Sequence, residues 1–226
     1  MAKKPASKRA GPAGSDRERI IAAFMDLLSE KRIEDIGFAE IAQGAGVSLA
    51  VLREEFPSTL AVFAAHVKAI DRKVLEGGDG DMAEEPPRER LFDVLMRRIE
   101  ALAPYKPAVR SLMRSAMCDP PLALALNCLA VRSQQWMLAA AGIDASGPRG
   151  LLRAQGLALL FARVLRTFVR DDDEGHARTM AALDRELGRG ARWAGLLDDL
   201  CRFAPRWRPR RRYRDEDRDD EAAVAV

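Results

Sequence analysis

Few side chains in this sequence that could do chemistry stand at spacings that would let them. His66 and His176 are the only histidines, and neither has cysteines or acids at metal-ligand spacing. The first reads as a helix-surface residue, and the second as part of an acidic helix start. Cys118, Cys128 and Cys201 are odd in number and far apart, which predicts buried free thiols in a reducing compartment. The acidic run Asp171-Asp172-Asp173-Glu174 reads as a solvated boundary that favours the dipole of the helix after it. The sequence holds no phosphate loop, dinucleotide fingerprint or nucleophile motif. The expectation is a protein that is not an enzyme and uses no metal or cofactor. The chemistry these residues do support is ionic. Lys3, Lys4, Lys8 and Arg9 could neutralise phosphates, and Arg206, Arg208 and Arg210–Arg212 could meet anionic headgroups.

Those cations are not spread evenly. The net charge is +3 over 226 residues, but residues 1–19 carry six Lys/Arg against two acids, and residues 202–221 carry eight against six. Residues 20–201 are therefore net −3, so the positive charge sits in the two end segments and the part between is mildly acidic. A nucleic-acid reader usually places a basic patch on its folded domain. Here an N-terminal arm must supply it.

The elements that would position these groups are helices. The chain is 48% hydrophobic but only 6% aromatic, and Ala, Leu, Arg, Glu and Asp dominate, which favours helix over sheet. No period-2 run stands out. Residues 1–14 read as a disordered basic arm. Ser15 or Asp16 caps a first helix whose Ile20, Ile21, Phe24, Leu27 and Leu28 recur at helical spacing. A short helix, Phe38 to Ala45, is broken by Gly46, and Ser48 caps the next, Leu49 to Glu54. Pro57 and Ser58 open a longer helix to Glu76. Residues 77–87 form a linker. Amphipathic stretches follow at roughly 87–103, 107–117, 121–141, 148–170, 174–188 and 191–203, and a tail, 204–226, reads as disordered. No apolar run is long enough to cross a membrane and no secretory signal is evident, so the expected location is the cytoplasm.

The run AEIAQGAGVSLAVLREEFPSTLAVFAAHV resembles the TetR family of transcriptional regulators. Ile41-Ala42, Ala45-Gly46-Val47-Ser48, Leu52, Phe56-Pro57-Ser58 and Ala61 stand where that family has its helix-turn-helix pattern. Gly46 would make the tight turn, Val47, Leu52 and Phe56 would pin the recognition helix, and Ser48 would cap it. The resemblance implies an all-α fold: a three-helix helix-turn-helix domain over 15–76, joined to a larger helical domain over 88–203 that dimerises and holds a ligand cavity. It also implies a partner, double-stranded DNA, met by Ser48, Leu49, Ala50 and Arg53 together with the basic arm. Some positions depart from the family. Arg53 and Thr59 stand where it commonly has Tyr and Lys, and Gly37 where it often has Thr. Residues 20–77 hold six Lys/Arg against nine acids.

The body resembles a second group with the same fold, the lipid-binding accessory proteins of ubiquinone biosynthesis. Residues 96–113 (MRRIEALAPYKPAVRSLM) and 164–187 (VLRTFVRDDDEGHARTMAALDREL) carry that resemblance, with Trp136 between them. It implies a bound lipid and a reading head that no longer reads.

The residues permit an apolar ligand site. Leu157, Leu160, Phe161, Val164, Leu165 and Phe168 form one stripe. Met113, Met117, Leu122, Leu126, Leu129, Trp136 and Met137 could form the facing wall. Residues 148–170 and 174–188 are the expected surface of a homodimer, with Leu160, Val164 and Phe168 near it or near the cavity. Trp193, Leu196, Leu197, Leu200 and Phe203 fall on one helical face just ahead of the Arg cluster, the pattern of a helix that lies on a membrane. The leading expectation is a regulator controlled by an apolar small molecule, and the alternative is a lipid-binding accessory protein.

Overall fold

The computed structural model describes residues 14–78 and 84–203, with side chains through residue 190. Among these residues all regular structure is helical: α1 (Asp16–Glu30), α2 (Phe38–Ala45), α3 (Leu49–Glu55), α4 (Thr59–Glu76), α5 (Pro87–Leu102), α6 (Lys106–Cys118), α7 (Pro120–Ala140), α8 (Gly147–Phe168) and α9 (Ala177–Phe203). Short 3-10 turns precede α2 and α6.

The starts and stops follow local chemistry. The Ser15 hydroxyl accepts from the Glu18 N–H at 3.3 Å, and the Glu18 carboxylate accepts from the Ser15 N–H at 2.9 Å. This reciprocal cap satisfies two amides that α1 itself cannot use. Ser58 caps α4 through the Ala61 N–H at 3.1 Å, and Asp119 caps α7 through the Leu122 N–H at 3.0 Å. α2 ends where Gly46 takes φ +65°, with the Val47 N–H bonded to the Ala42 carbonyl and the Gly46 N–H to that of Gln43. That left-handed residue turns the chain toward α3.

Two apolar clusters hold the fold. In the head, Ile20, Phe24, Leu28, Ile41, Leu52, Phe56 and Val62 are buried together, and Ala108 and Leu112 of α6 complete the cluster from the body side. In the body, Ile70 and Val74 of α4 join Leu95, Ile99, Met137, Phe161, Val164, Phe168 and Leu183. Tyr105 packs against both clusters. α4 therefore contributes to the head at its start and to the body at its end.

Polar groups are also tied into the body interior. Asp71 on α4 accepts from Arg98 of α5 at 2.6 Å and from the Ser133 hydroxyl of α7 at 2.7 Å. The Arg98 guanidinium lies 5.4 Å from the Phe161 ring centre. Burial pulls Arg98 down from its ordinary range, and the Asp71 charge opposes that.

Several expectations need correction. His66 is not a surface residue. It is buried against Tyr105, with ring centres 4.4 Å apart, and desolvation pushes its pKa down to about 4. It lies on the face of α4 that carries Val62 and Ile70, so the helical period hides it. The acidic run is not wholly solvated either. Asp171 is buried, and its carboxylate accepts from the Thr179 N–H and hydroxyl at 2.8 and 2.7 Å. Burial pushes the Asp171 carboxyl up, but the bonds from Thr179 hold it below the usual range. His176, at φ +54°, is likewise buried, edge-on to Phe168. Cys118 and Cys128 are exposed rather than buried, because each falls on the outward side of its helix. The helices expected over 174–188 and 191–203 are one continuous helix that starts only at Ala177, and Gly188 and Gly190 do not break it.

Candidate nucleic-acid interface

Ser48 places its hydroxyl 3.2 Å from the Val51 N–H, so α3 starts immediately after the Gly46 turn. Leu52 and Phe56 face inward and are buried, and Val51 is half-buried. Glu55 is half-buried as well, whereas the cap Ser48 and the helix positions Leu49, Ala50, Arg53 and Glu54 are exposed. The structure thus gathers all four sequence-predicted contacts of α3 on one open face. Leu49 is 55% exposed, and Phe38 at the start of α2 is 48% exposed. Large apolar side chains left open beside polar ones suit the methyl groups and edges of bases. Lys3, Lys4, Lys8 and Arg9 of the arm lie outside the described residues.

Behind this face, Arg17, Arg19, Lys31 and Arg32, the cations of α1 and of the segment after it, are all paired within the head. Arg19 bonds the Ala45 carbonyl at 3.1 Å and pairs with Asp16 at 2.9 Å, fastening α1 to the Gly46 turn. Lys31 pairs with Glu40 at 2.5 Å, and the Glu40 carboxylate also accepts from the Gly37 N–H at 3.0 Å. The bond from Lys31 and then that from Gly37 hold the Glu40 carboxyl below its usual range. An acid thus fills the N-terminus of α2, where an anion would otherwise find free amides. Arg32 pairs with Glu34 at 2.6 Å. Arg17 reaches from α1 to the end of α3, with Nη1 3.1 Å from Glu55 Oε2 and the guanidinium 4.4 Å from the Phe56 ring centre. Among the described residues Arg53 has no ion-pair partner. The Arg17–Glu55 contact joins residues 38 apart in the sequence, and no local pattern could have revealed it.

The body's predicted lining residues divide. Leu157 and Phe161 are in the core, and Met113 and Leu165 are half-buried against it. Leu126 is half-buried against the head cluster instead. Met117 and Trp136 do not line the interior: they are 86% and 60% exposed. Trp136 follows Leu124, Cys128 and Arg132 at four-residue intervals along the outward side of α7, whereas the inward side carries Val131, Gln134, Met137 and Leu138. Leu160, Val164 and Phe168 are core residues of the single chain. The membrane-contact candidates Trp193, Leu196, Leu197, Leu200 and Phe203 have side chains outside the described residues. Among the described residues no group of His, Cys, Asp and Glu could hold a metal ion, and no helix is long and apolar enough to cross a membrane.

No protein-family model matches the sequence, and no curated protein matches it either. Solved structures do match the fold. A TetR transcriptional regulator from Nitrosomonas europaea ATCC 19718 superposes with a TM-score of 0.62 at 20% identity, over 79% of this chain and 99% of that one. A TetR transcriptional regulator from Rhodococcus sp. RHA1 gives 0.54 at 23% identity, over 77% and 95%. A further transcriptional regulator from Rhodococcus sp. Rha1 gives 0.50 at 23% identity, over 79% and 97%. The chain has the all-α fold of the TetR regulators.

Proposed function

We propose that this protein is a TetR-type DNA-binding transcriptional regulator that works as a homodimer and is controlled by an apolar small molecule bound in its helical body. The observation that carries the reading is the open face of α3, where Ser48, Leu49, Ala50 and Arg53 stand out from a helix fixed by its cap and by the Gly46 turn. A short helix presented this way enters a major groove by its first residues. Leu157, Phe161, Met113 and Leu165, all in or against the body core, are the side chains assigned to an apolar ligand. The dimer surface is assigned to the outward side of α8, where Leu152 and Leu159 are 64% and 52% exposed with Gly156 between them, and to the adjoining α9.

Selection from a randomised duplex library, followed by fluorescence anisotropy on the enriched sequence, tests this reading. The expected product is a two-fold symmetric site, bound with an affinity that falls steeply with salt. A library that enriches nothing would overturn it.

One observation favours the lipid-binding alternative: residues 20–77 are net −3, which disfavours a polyanion. In that reading the body carries a lipid collected at a membrane, with residues 191–203 as the contact. Mass spectrometry of copurifying lipids, and pull-down on anionic liposomes of wild type and of Leu196→Glu with Leu200→Glu, decide it. A protein that carries no lipid and ignores such vesicles at low salt is not an accessory protein of this kind.

A further inference from the structure

The cations of the head are not equally available to a polyanion. Arg19 is bound to a backbone carbonyl as well as to Asp16, so it is part of the turn that seats α3. Lys31 is held by Glu40, and that carboxylate also closes the start of α2, so freeing the lysine would uncap a helix. Arg17 differs. Its side chain is half exposed, it sits in the first turn of α1 directly after the segment that carries Lys3, Lys4, Lys8 and Arg9, and its charged partner is a residue of the reading helix itself. Glu55 takes Arg17 Nη1 on its carboxylate at 3.1 Å and on its backbone carbonyl at 3.4 Å. The buried Phe56 ring lies beneath the guanidinium at 4.4 Å and fixes its place. Glu55 caps nothing among the described residues. An exposed pair of this kind contributes little to stability, whereas one cation delivered to a duplex raises both its affinity and its salt dependence.

We propose that Glu55 is a specificity device of the reading head: it holds Arg17 away from the nucleic-acid backbone. The proposal rests on the regulator reading above. Duplex of any sequence attracts a free Arg17 equally, so locking it removes affinity that carries no sequence information. Binding then depends on the open face of α3 and on the arm.

The test is a double-mutant cycle on the full chain: wild type, Glu55→Gln, Arg17→Gln and the double variant. Anisotropy is measured on the enriched duplex and on a scrambled one, between 50 and 200 mM salt. Glu55→Gln should steepen the slope of log affinity against log salt by about 0.9. Its advantage over wild type on the scrambled duplex should grow about 3.5-fold as salt falls from 200 to 50 mM, which is that slope over a fourfold dilution. Glu55→Asp, which keeps the charge, should behave as wild type. Arg17→Gln alone should change little, and the gain should vanish in the double variant. A gain of equal size in both backgrounds would mean that Glu55 acts only as a bulk negative charge, and would overturn the proposal while leaving the regulator reading intact. An unchanged slope in a Glu55→Gln protein whose unfolding midpoint matches wild type would overturn it in the same way. If wild type and all variants ignore every duplex, the regulator reading fails and the proposal fails with it.

Discussion

The head and the body are stabilised by contacts of different reach. In the head the helix starts and stops are set by short-range devices: the Ser15–Glu18 cap, the Gly46 turn, and the Ser48 and Ser58 caps, each spanning a few residues. In the body the polar framework is long-range. Asp71 meets Arg98 27 residues away and Ser133 62 away, and Asn127 and Gln155, 28 apart, exchange two hydrogen bonds at 3.0 Å. Losing a short-range device frays one end of one helix. Losing a member of the buried cluster strands a charge among three helices. The first kind of damage should be small and local, the second large and coupled.

The largest expected effect therefore lies in the body. Arg98→Ala should destabilise the protein by about 3–5 kcal/mol, because the Asp71 carboxylate is left buried without its countercharge. Pairing Arg98→Met with Asp71→Asn should cost much less than the two single changes together, since a neutral pair leaves no stranded ion. Urea unfolding of wild type, Arg98→Ala, Arg98→Met, Asp71→Asn and the double variant measures this. Additive costs would show that the pair is not a unit, and the contrast between the two regions would lose its basis.

The next effect is pH-dependent and sits where the regions meet. Burial keeps His66 neutral in the folded chain, with a pKa of about 4. The unfolded chain takes up a proton near pH 6.5. Between these values the unfolded state binds more protons, so stability falls as pH drops from 6.5 toward 4 and is fully present above 6.5. The loss attributable to His66 is at most about 3 kcal/mol. Replacing it with leucine should flatten the profile in that window, and an equally steep profile would place the proton uptake elsewhere.

This division also explains what could be read in advance. The order and bounds of α1 to α4 were legible because caps, glycines and helical period are local signals, and Gly46 and Ser48 announce the turn by themselves. The four positions at the start of α3 that the family resemblance singled out are exposed, as a face that meets a partner requires. The body was legible as helices but not as a layout. A run such as 121–141 is apolar nearly all round, so period alone could not tell that Trp136 looks out while Gln134 lies buried. His66 was misplaced by the opposite error: its polarity outweighed a helical position that points inward. The Arg17–Glu55 contact depends on how α1 crosses α3, and that crossing is written in packing rather than in neighbouring residues.

A smaller effect is expected at Gly46. A β-carbon there would meet nothing within 4 Å, so crowding adds nothing to Gly46→Ala. The cost is conformational alone: at φ +65° an alanine is disfavoured by roughly 1–2 kcal/mol. Thermal unfolding should show that loss with no change in the helical content of the body.

The smallest change sharpens the comparison most. Ser48→Ala removes one hydrogen bond, to the Val51 N–H, from a helix end whose face is open. The expected cost is about 1 kcal/mol, as for other helix caps. Ser48→Gly should recover most of it, because glycine lets water reach the same amide and suits the extended backbone of a cap, and it should differ from wild type by only a few tenths of a kcal/mol. A purely local device gives this alanine-to-glycine difference and leaves the body untouched. The pH profile set by His66 should then be identical in both variants. If Ser48→Gly is as costly as Ser48→Ala, the hydroxyl does more than close the helix. If either variant shifts the pH profile, the start of α3 is coupled through α4 to the body, and the head is not the sum of local parts that its sequence suggests.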